Sequence, residues 1–272
     1  MLKTLKLSKD SAIPTSSMSL EAQRELGNLY KKMTQASYET FRRDRVKELI
    51  DELHGSCVQG ISRFIRKLSQ RIVDKQNYMD IFVEGQFAVT LAKNGFSEIR
   101  LECSDKGPDI EAVYNHQTIC FEVTRRRYEE DEWAETFEPN HVKPDSSQRI
   151  VSKIQGKYGQ LRDGEINLVV YWSSTMKVVS GDIRSAFSDM QHEIDGDPER
   201  YRNLSGILFT EMEGYDITSL KQYPLFKNDK ALKPLGPRLT KKLESLHSDL
   251  KEMQRHSRNL MASYKKMYGT SI

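Results

Sequence analysis

The stretch GPDIEAVYNHQTICFEVTRRR, residues 107–127, decides the fold. It sets Asp109 directly after a proline, then runs through two alternating segments, 109–114 and 117–124, that read as strands. Asn115-His116 between them is the two-residue signature of a tight hairpin. On the second segment Ile119, Phe121 and Val123 face one way, and Cys120, Glu122 and Thr124 the other. The hairpin therefore brings Asp109, at the start of one strand, alongside Glu122, near the end of the next. A carboxylate taken out of water needs a partner. Two converging carboxylates with no His or Cys cluster beside them suit a hard cation, and Mg²⁺ commonly takes one or two carboxylates plus water and phosphate oxygens.

Outward from the hairpin, YMDIFVEGQFAVTLAKNGF (78–96) predicts a helix with Phe87, Val89, Leu91 and Ala92 near its buried side, closed by Asn94-Gly95. EIRLEC (98–103) predicts a strand before the hairpin. A helix over about 146–162 follows it, then INLVVYW (166–172), apolar enough for a strand covered on both faces. A helix over 182–192 leads to GILFT (206–210), read as the last strand. Helix, three strands, helix, strand, helix, strand is an α/β or α+β layered core.

The flanks are helical. Residues 1–18 read as a poorly ordered tail and 19–76 as an N-terminal helical region. Leu26, Leu29, Met33 and Ala36 mark one helix, Val46, Leu49, Ile50 and Leu53 a second ending at His54-Gly55, and Ile61, Ile65, Leu68 and Ile72 a third. At the other end, Leu239, Leu243, Leu246, Leu250, Met253, Leu260, Tyr264 and Met267 keep heptad spacing, interrupted at Ser257. That spacing predicts one long C-terminal helix over 237–272. Through residues 239–267 it pairs with a second copy, as a homodimer, or with a partner helix, or it folds back on the N-terminal helices.

Pro108-Asp109 followed by Glu122-Val123-Thr124, on strands in this order, resembles the PD-(D/E)XK phosphodiesterase superfamily and its restriction-endonuclease-like αβββαβ fold. The likeness covers about residues 77–210, within a nuclease-like core of 77–236. It implies that Asp109 and Glu122 bind Mg²⁺, with Mn²⁺ as a substitute, that Val123 adds its backbone carbonyl, and that Glu84 on the preceding helix assists. The family's usual lysine is replaced here by Thr124, whose hydroxyl supplies no positive charge. In some members the basic group moves to the following helix. In SKIQGKYGQL (152–161) a helical projection sets Lys153, Lys157 and Gln160 on one stripe beside Ile150, Ile154 and Leu161. Lys157 and Gln160 are the resulting candidates, whereas Arg125 points to the opposite strand face. Each residue also has a plain structural role open to it: Glu122 as an ion-paired strand residue, Asp109 as a turn former, Glu84 as a helix-start acid, Lys157 as a solvated lysine.

Composition bounds the rest. The 272 residues suffice for a full hydrophobic core. Cys57, Cys103 and Cys120 form neither a disulfide framework nor a C-x-x-C zinc pattern, so an intracellular, reducing setting is expected, cytoplasmic or nuclear. No signal peptide and no membrane span is read. The net charge of +3 argues weakly for a polyanion, although RRDR (42–45), RRR (125–127) and RLTKK (238–242) are local basic clusters. Phosphate-loop, dinucleotide, H-E-x-x-H and G-x-S-x-G patterns are all missing. The acidic run EEDEWAETFEPNHVKPD (129–145) reads as a flexible loop beside the site.

The expectation is a Mg²⁺-dependent nuclease, acting on DNA as most of the family does. The competing expectations are a catalytically impaired protein of that fold serving as a nucleic-acid-binding or assembly module, and a mainly helical interaction protein whose acidic pattern is coincidental.

Overall fold

Asn115 and His116 both take positive φ, 53° and 63°, as the two central residues of a type I′ turn do. They join β2 (Ile110–Tyr114) to β3 (Gln117–Arg125) in an antiparallel register that sets Ile110 opposite Phe121 and Tyr114 opposite Gln117. The computed structural model describes residues 18–35, 40–72, 74–102, 107–125, 147–173, 180–211 and 224–246. β1 (Ser97–Leu101) lies antiparallel on the free side of β2. On the other side β4 (Ile166–Ser173) runs parallel to β3, and β5 (Gly206–Glu211) runs parallel to β4. β6 (Leu225–Lys227) closes that edge antiparallel to β5. The six strands of this mixed sheet lie in chain order.

Alternation along the central strands divides the interior into two cores. Leu168, Val170 and Trp172 of β4 join Ile119, Phe121 and Val123 of β3 in the first. Val169 and Tyr171 join Ile207 and Phe209 of β5 in the second. The first core is covered by α1 (Leu20–Gln35), α2 (Thr40–Gly55), α3 (Ile61–Arg71) and α4 (Lys75–Lys93). α4 lies between the other helices and the sheet, which is why its apolar residues surround it. Phe82, Val83, Phe87, Ala88 and Leu91 are all buried, and the Phe87 ring meets Phe121 edge-on at 5.4 Å. The second core is covered by α5 (Ser147–Gln155) and α6 (Ser180–Gly196), through Ile150, Val151, Ile154, Ala186, Met190 and Ile194.

The N-terminal helices are thus not a separate body, since Leu29, Met33, Leu53 and Leu68 belong to the same core as the sheet. α7 (Pro237–Glu244) packs Leu239 and Leu243 into that core, with Leu246 beside them, so the start of the heptad run folds back within the chain. It does not continue as the long helix that its spacing predicts: the last turn closes on Ser245, at φ −96° and ψ 8°. Residues 247–272 lie outside the described residues, as do residues 1–17, the whole acidic run 129–145 and Cys103.

Two other expectations are corrected. The helix over 146–162 ends at Gln155, where Gly156 and Lys157 turn the chain into a 3₁₀ turn at Tyr158–Gln160. Tyr158 and Leu161 pack on the second core from that turn, so apolar residues at helical spacing belong to two short elements. GILFT is not the last strand, because the three residues of β6 are too few to show a period in sequence. Among the described residues no helix is long and apolar enough to cross a membrane.

Gly85 sets the distance between α3 and α4. A Cβ there would lie 2.5 Å from the Phe64 ring and 3.1 Å from Leu49. Gly27, exposed on α1, has nothing within 4 Å of a Cβ. Alanine favours a helix interior by about 1 kcal/mol over glycine, whereas overpacking a core costs about 1–3 kcal/mol. Gly27→Ala should therefore raise the urea midpoint while Gly85→Ala lowers it. A rise in both would mean that the notch at Gly85 is slack.

Candidate functional site

Asp109 stands just before β2, where that strand has not yet joined β3. Continuing the register of the pair sets Asp109 opposite Glu122 and Pro108 opposite Val123. Proline has no N–H, so it offers the Val123 carbonyl no donor. The Asp109 carboxylate takes the place of a strand partner: its Oδ2 accepts the Val123 N–H at 2.9 Å.

Glu122 shares its sheet face with Val169, its partner on β4, and so with the second core. It is 1% exposed. Lys157, just past α5 on that face, reaches both acids: its Nζ lies 3.0 Å from Asp109 Oδ2 and 3.2 Å from Glu122 Oε2. Gln160 Oε1 accepts a further hydrogen bond from the same ammonium at 3.1 Å. Glu122 Oε1 is buried without a hydrogen-bond partner.

The opposite side of Asp109 is supplied by the other layer. Lys67 on α3 lies 3.0 Å from Glu84 Oε2, 2.5 Å from Glu102 Oε1 and 3.9 Å from Asp109 Oδ1. Four carboxylates thus surround two ammonium groups, with Asp109 between the lysines.

The sequence-derived set is only partly brought together. Asp109, Glu122, Lys157 and Gln160 form one bonded group, although the last two sit on a turn and not on a helical stripe. Glu84 is buried on α4 and meets that group through Lys67, because it approaches from the first-core side of the sheet. Thr124 is half-buried on the face of Glu122 and takes no part in the Lys157 bonds. Arg125 faces the other way and pairs with Asp80 of α4 at 3.0 Å. Lys67 and Glu102 were missed. Lys67 sits among the polar residues of an amphipathic helix, where nothing local distinguishes it from a solvated lysine, and Glu102 reads as the polar end of a strand.

The charges shift one another. Burial, reinforced by the Asp109 charge, pushes the Glu122 carboxyl up to about 8, with Lys157 opposing. Burial and then the Asp109 charge hold Glu84 well above the usual carboxylate range, with Lys67 opposing. Burial alone would lower both lysines. The acids around them outweigh it, so both ammonium groups are held above their ordinary value.

Among the described residues no three Asp, Glu, His or Cys side chains stand, as they lie, in a group able to hold a metal ion. The available donors are nonetheless all oxygen: Asp109, Glu122 with its unpartnered Oε1, and the Val123 carbonyl. These fit a hard cation that keeps several waters. Lys157 bridges the two carboxylates where such a cation would bind.

No family model, curated protein or solved structure matches the chain.

The raised Glu122 value implies a pH dependence. Between its ordinary 4.5 and about 8, the folded protein keeps a proton that the unfolded chain has released. The stability this contributes is complete below 4.5 and is lost as pH rises through 8. In EDTA, urea titrations from pH 5 to 8 should show the parent losing stability relative to Glu122→Gln, by at most about 1.4 kcal/mol per pH unit. Parallel curves for the two proteins would mean that Glu122 is ionised throughout.

Proposed function

We propose that the chain is a metal-dependent phosphodiesterase of the restriction-endonuclease-like fold that cuts nucleic acid, with DNA the substrate that the resemblance to the PD-(D/E)XK superfamily implies. The observation that carries this reading is the carboxylate pair of half-buried Asp109 and buried Glu122, held across the open end of the β2–β3 hairpin and bridged by the single ammonium of Lys157. The order of elements from α4 to β5, with the three-strand antiparallel start and parallel continuation, supports the same fold assignment.

Asp109, Glu122 and the Val123 carbonyl would hold Mg²⁺ or Mn²⁺. The ion, when bound, would supply Lewis acidity toward water and the scissile phosphate. Lys157 would be released from its two ion pairs and remain tethered to Gln160, leaving a fixed cation beside the phosphate where the family's strand lysine is replaced by Thr124. Glu84 acts at one remove, by holding Lys67.

The internal ion pairs also give weight to a second reading. Lys157 already bridges both acids without a metal, so a protein of this fold without turnover, acting as a nucleic-acid-binding or assembly module, is compatible with the same geometry. Calorimetry separates the two. Because Glu122 titrates near 8, Mg²⁺ binding at pH 7 should release protons, seen as heats that vary with the ionisation enthalpy of the buffer. No binding at millimolar Mg²⁺ favours the module.

Purified protein should cleave plasmid, linear or single-stranded DNA, or RNA, in Mg²⁺ or Mn²⁺, and EDTA should abolish cleavage. Asp109→Ala and Glu122→Ala should each lower the rate by at least about 10²-fold, the scale on which single electrostatic groups contribute. Cleavage that persists in EDTA, or in both variants, overturns the mechanism.

A further inference from the structure

We infer that Lys67 is a phosphate-contacting residue of the site, supplied by the N-terminal helical layer, and that Arg63, one turn back on the same face of α3, contacts the neighbouring phosphate of the bound strand. This rests on the nuclease reading above.

Lys67 reaches the acidic cluster from the side opposite Lys157, so that Asp109 lies between the two ammonium groups. A lysine ammonium has three donors. Glu102 takes one, and Glu84 accepts through both oxygens, at 3.0 Å and a long 3.4 Å, while Asp109 Oδ1, at 3.9 Å, is beyond hydrogen-bond distance. The 3.4 Å contact to Glu84 Oε1 is the weakest of the three, and it is the one an external oxygen would replace while Glu84 Oε2 and Glu102 keep hold of the ammonium. The side chain is 32% exposed, which leaves the ammonium within reach of a ligand.

A cation claimed by Asp109 and Glu122 competes with Lys157 for those oxygens, but Glu84 and Glu102 continue to hold Lys67. It is the ammonium whose position does not depend on whether a metal is present. Its base is rigid, because Phe64, Ile65 and Leu68 of α3 are fully buried and α4 is notched at Gly85 to receive Phe64. Glu102 orients both cations of this face: its carboxylate takes Lys67, and its carbonyl accepts from Arg63 at 3.2 Å. Arg63 is exposed. Helical residues four apart are surface neighbours, and a row of two cations leading away from the carboxylates suits successive phosphates of one strand.

The test is binding of fluorescent DNA and RNA oligonucleotides, by anisotropy, in Ca²⁺ across a salt series, with cleavage measured in parallel in Mg²⁺. Loss of one phosphate contact reduces the slope of log K against log salt by about 0.9 on duplex or about 0.7 on single strands. Lys67→Met and Arg63→Gln should each show that reduction, and Lys67→Arg should restore it. Lys67→Met should also lower kcat more than it raises KM. Since Lys67→Met leaves Glu84 and Glu102 unpaired, Lys67→Gln combined with Glu84→Gln serves as the variant with the lighter folding burden. A folded variant with the parent's slope overturns the contact even when Asp109→Ala abolishes cleavage, in which case the nuclease reading stands. A reduced slope in a protein that never cleaves upholds the contact and removes the nuclease reading. A parent that binds neither DNA nor RNA removes both.

Discussion

Asp109 is the one group on which every other part of the site depends, because its two oxygens serve different layers of the protein. Oδ2 satisfies the Val123 N–H and meets Lys157 from the second-core side, while Oδ1 faces Lys67 from the helical side. This is possible only at the end of a strand. Within the sheet a side chain points to one face, and the neighbouring backbone groups are consumed by the ladder. Before β2 begins, with Pro108 unable to donate, the aspartate lies in the plane of the sheet and is open to both sides.

The same geometry explains why Glu122 tolerates nearly complete burial. A buried carboxylate without a counter-charge costs far more than a strand position returns, and removing one partner of a buried pair is strongly destabilising. Lys157 offsets that cost for one oxygen and leaves the other unpartnered. The raised carboxyl is the remainder of the cost. A site whose acids are only partly neutralised by its own lysines has a definite electrostatic preference for an added cation.

The hairpin was legible because three independent local signals agreed: alternation over 109–114 and 117–124, a two-residue turn, and an aspartate bound to proline. Asp109 and Glu122 followed from strand parity alone. Lys157 was found for a partly wrong reason, since the 100° projection assumed a helix that ends at Gln155. The lysine arrives because the chain turns at Gly156 and re-packs Tyr158 and Leu161 on the same core. Lys67 was illegible for a different reason. Its partners Glu84 and Glu102 lie 17 and 35 residues away, and only tertiary packing of α3 on α4 makes a charged position on a surface stripe into a half-buried one. The start of the heptad run behaves as its fold-back alternative expects, with Leu239, Leu243 and Leu246 buried against the chain's own core, but the spacing concealed the end of the helix at Ser245.

That long-range dependence gives the N-terminal helices a role that composition alone does not suggest. α3 carries Arg63, Arg66, Lys67 and Arg71 and no acidic residue. A helix so charged is poorly suited to lie beside the sheet unless acids meet it, and Glu21 and Glu25 of α1 do so at Arg66 while Glu84 and Glu102 do so at Lys67. Arg66 is thereby tied to α1, and Lys67 to the site. The helical layer and the strand layer consequently share one set of charges, so the helices are part of the site's electrostatics and not an appendage to a sheet that would be complete without them.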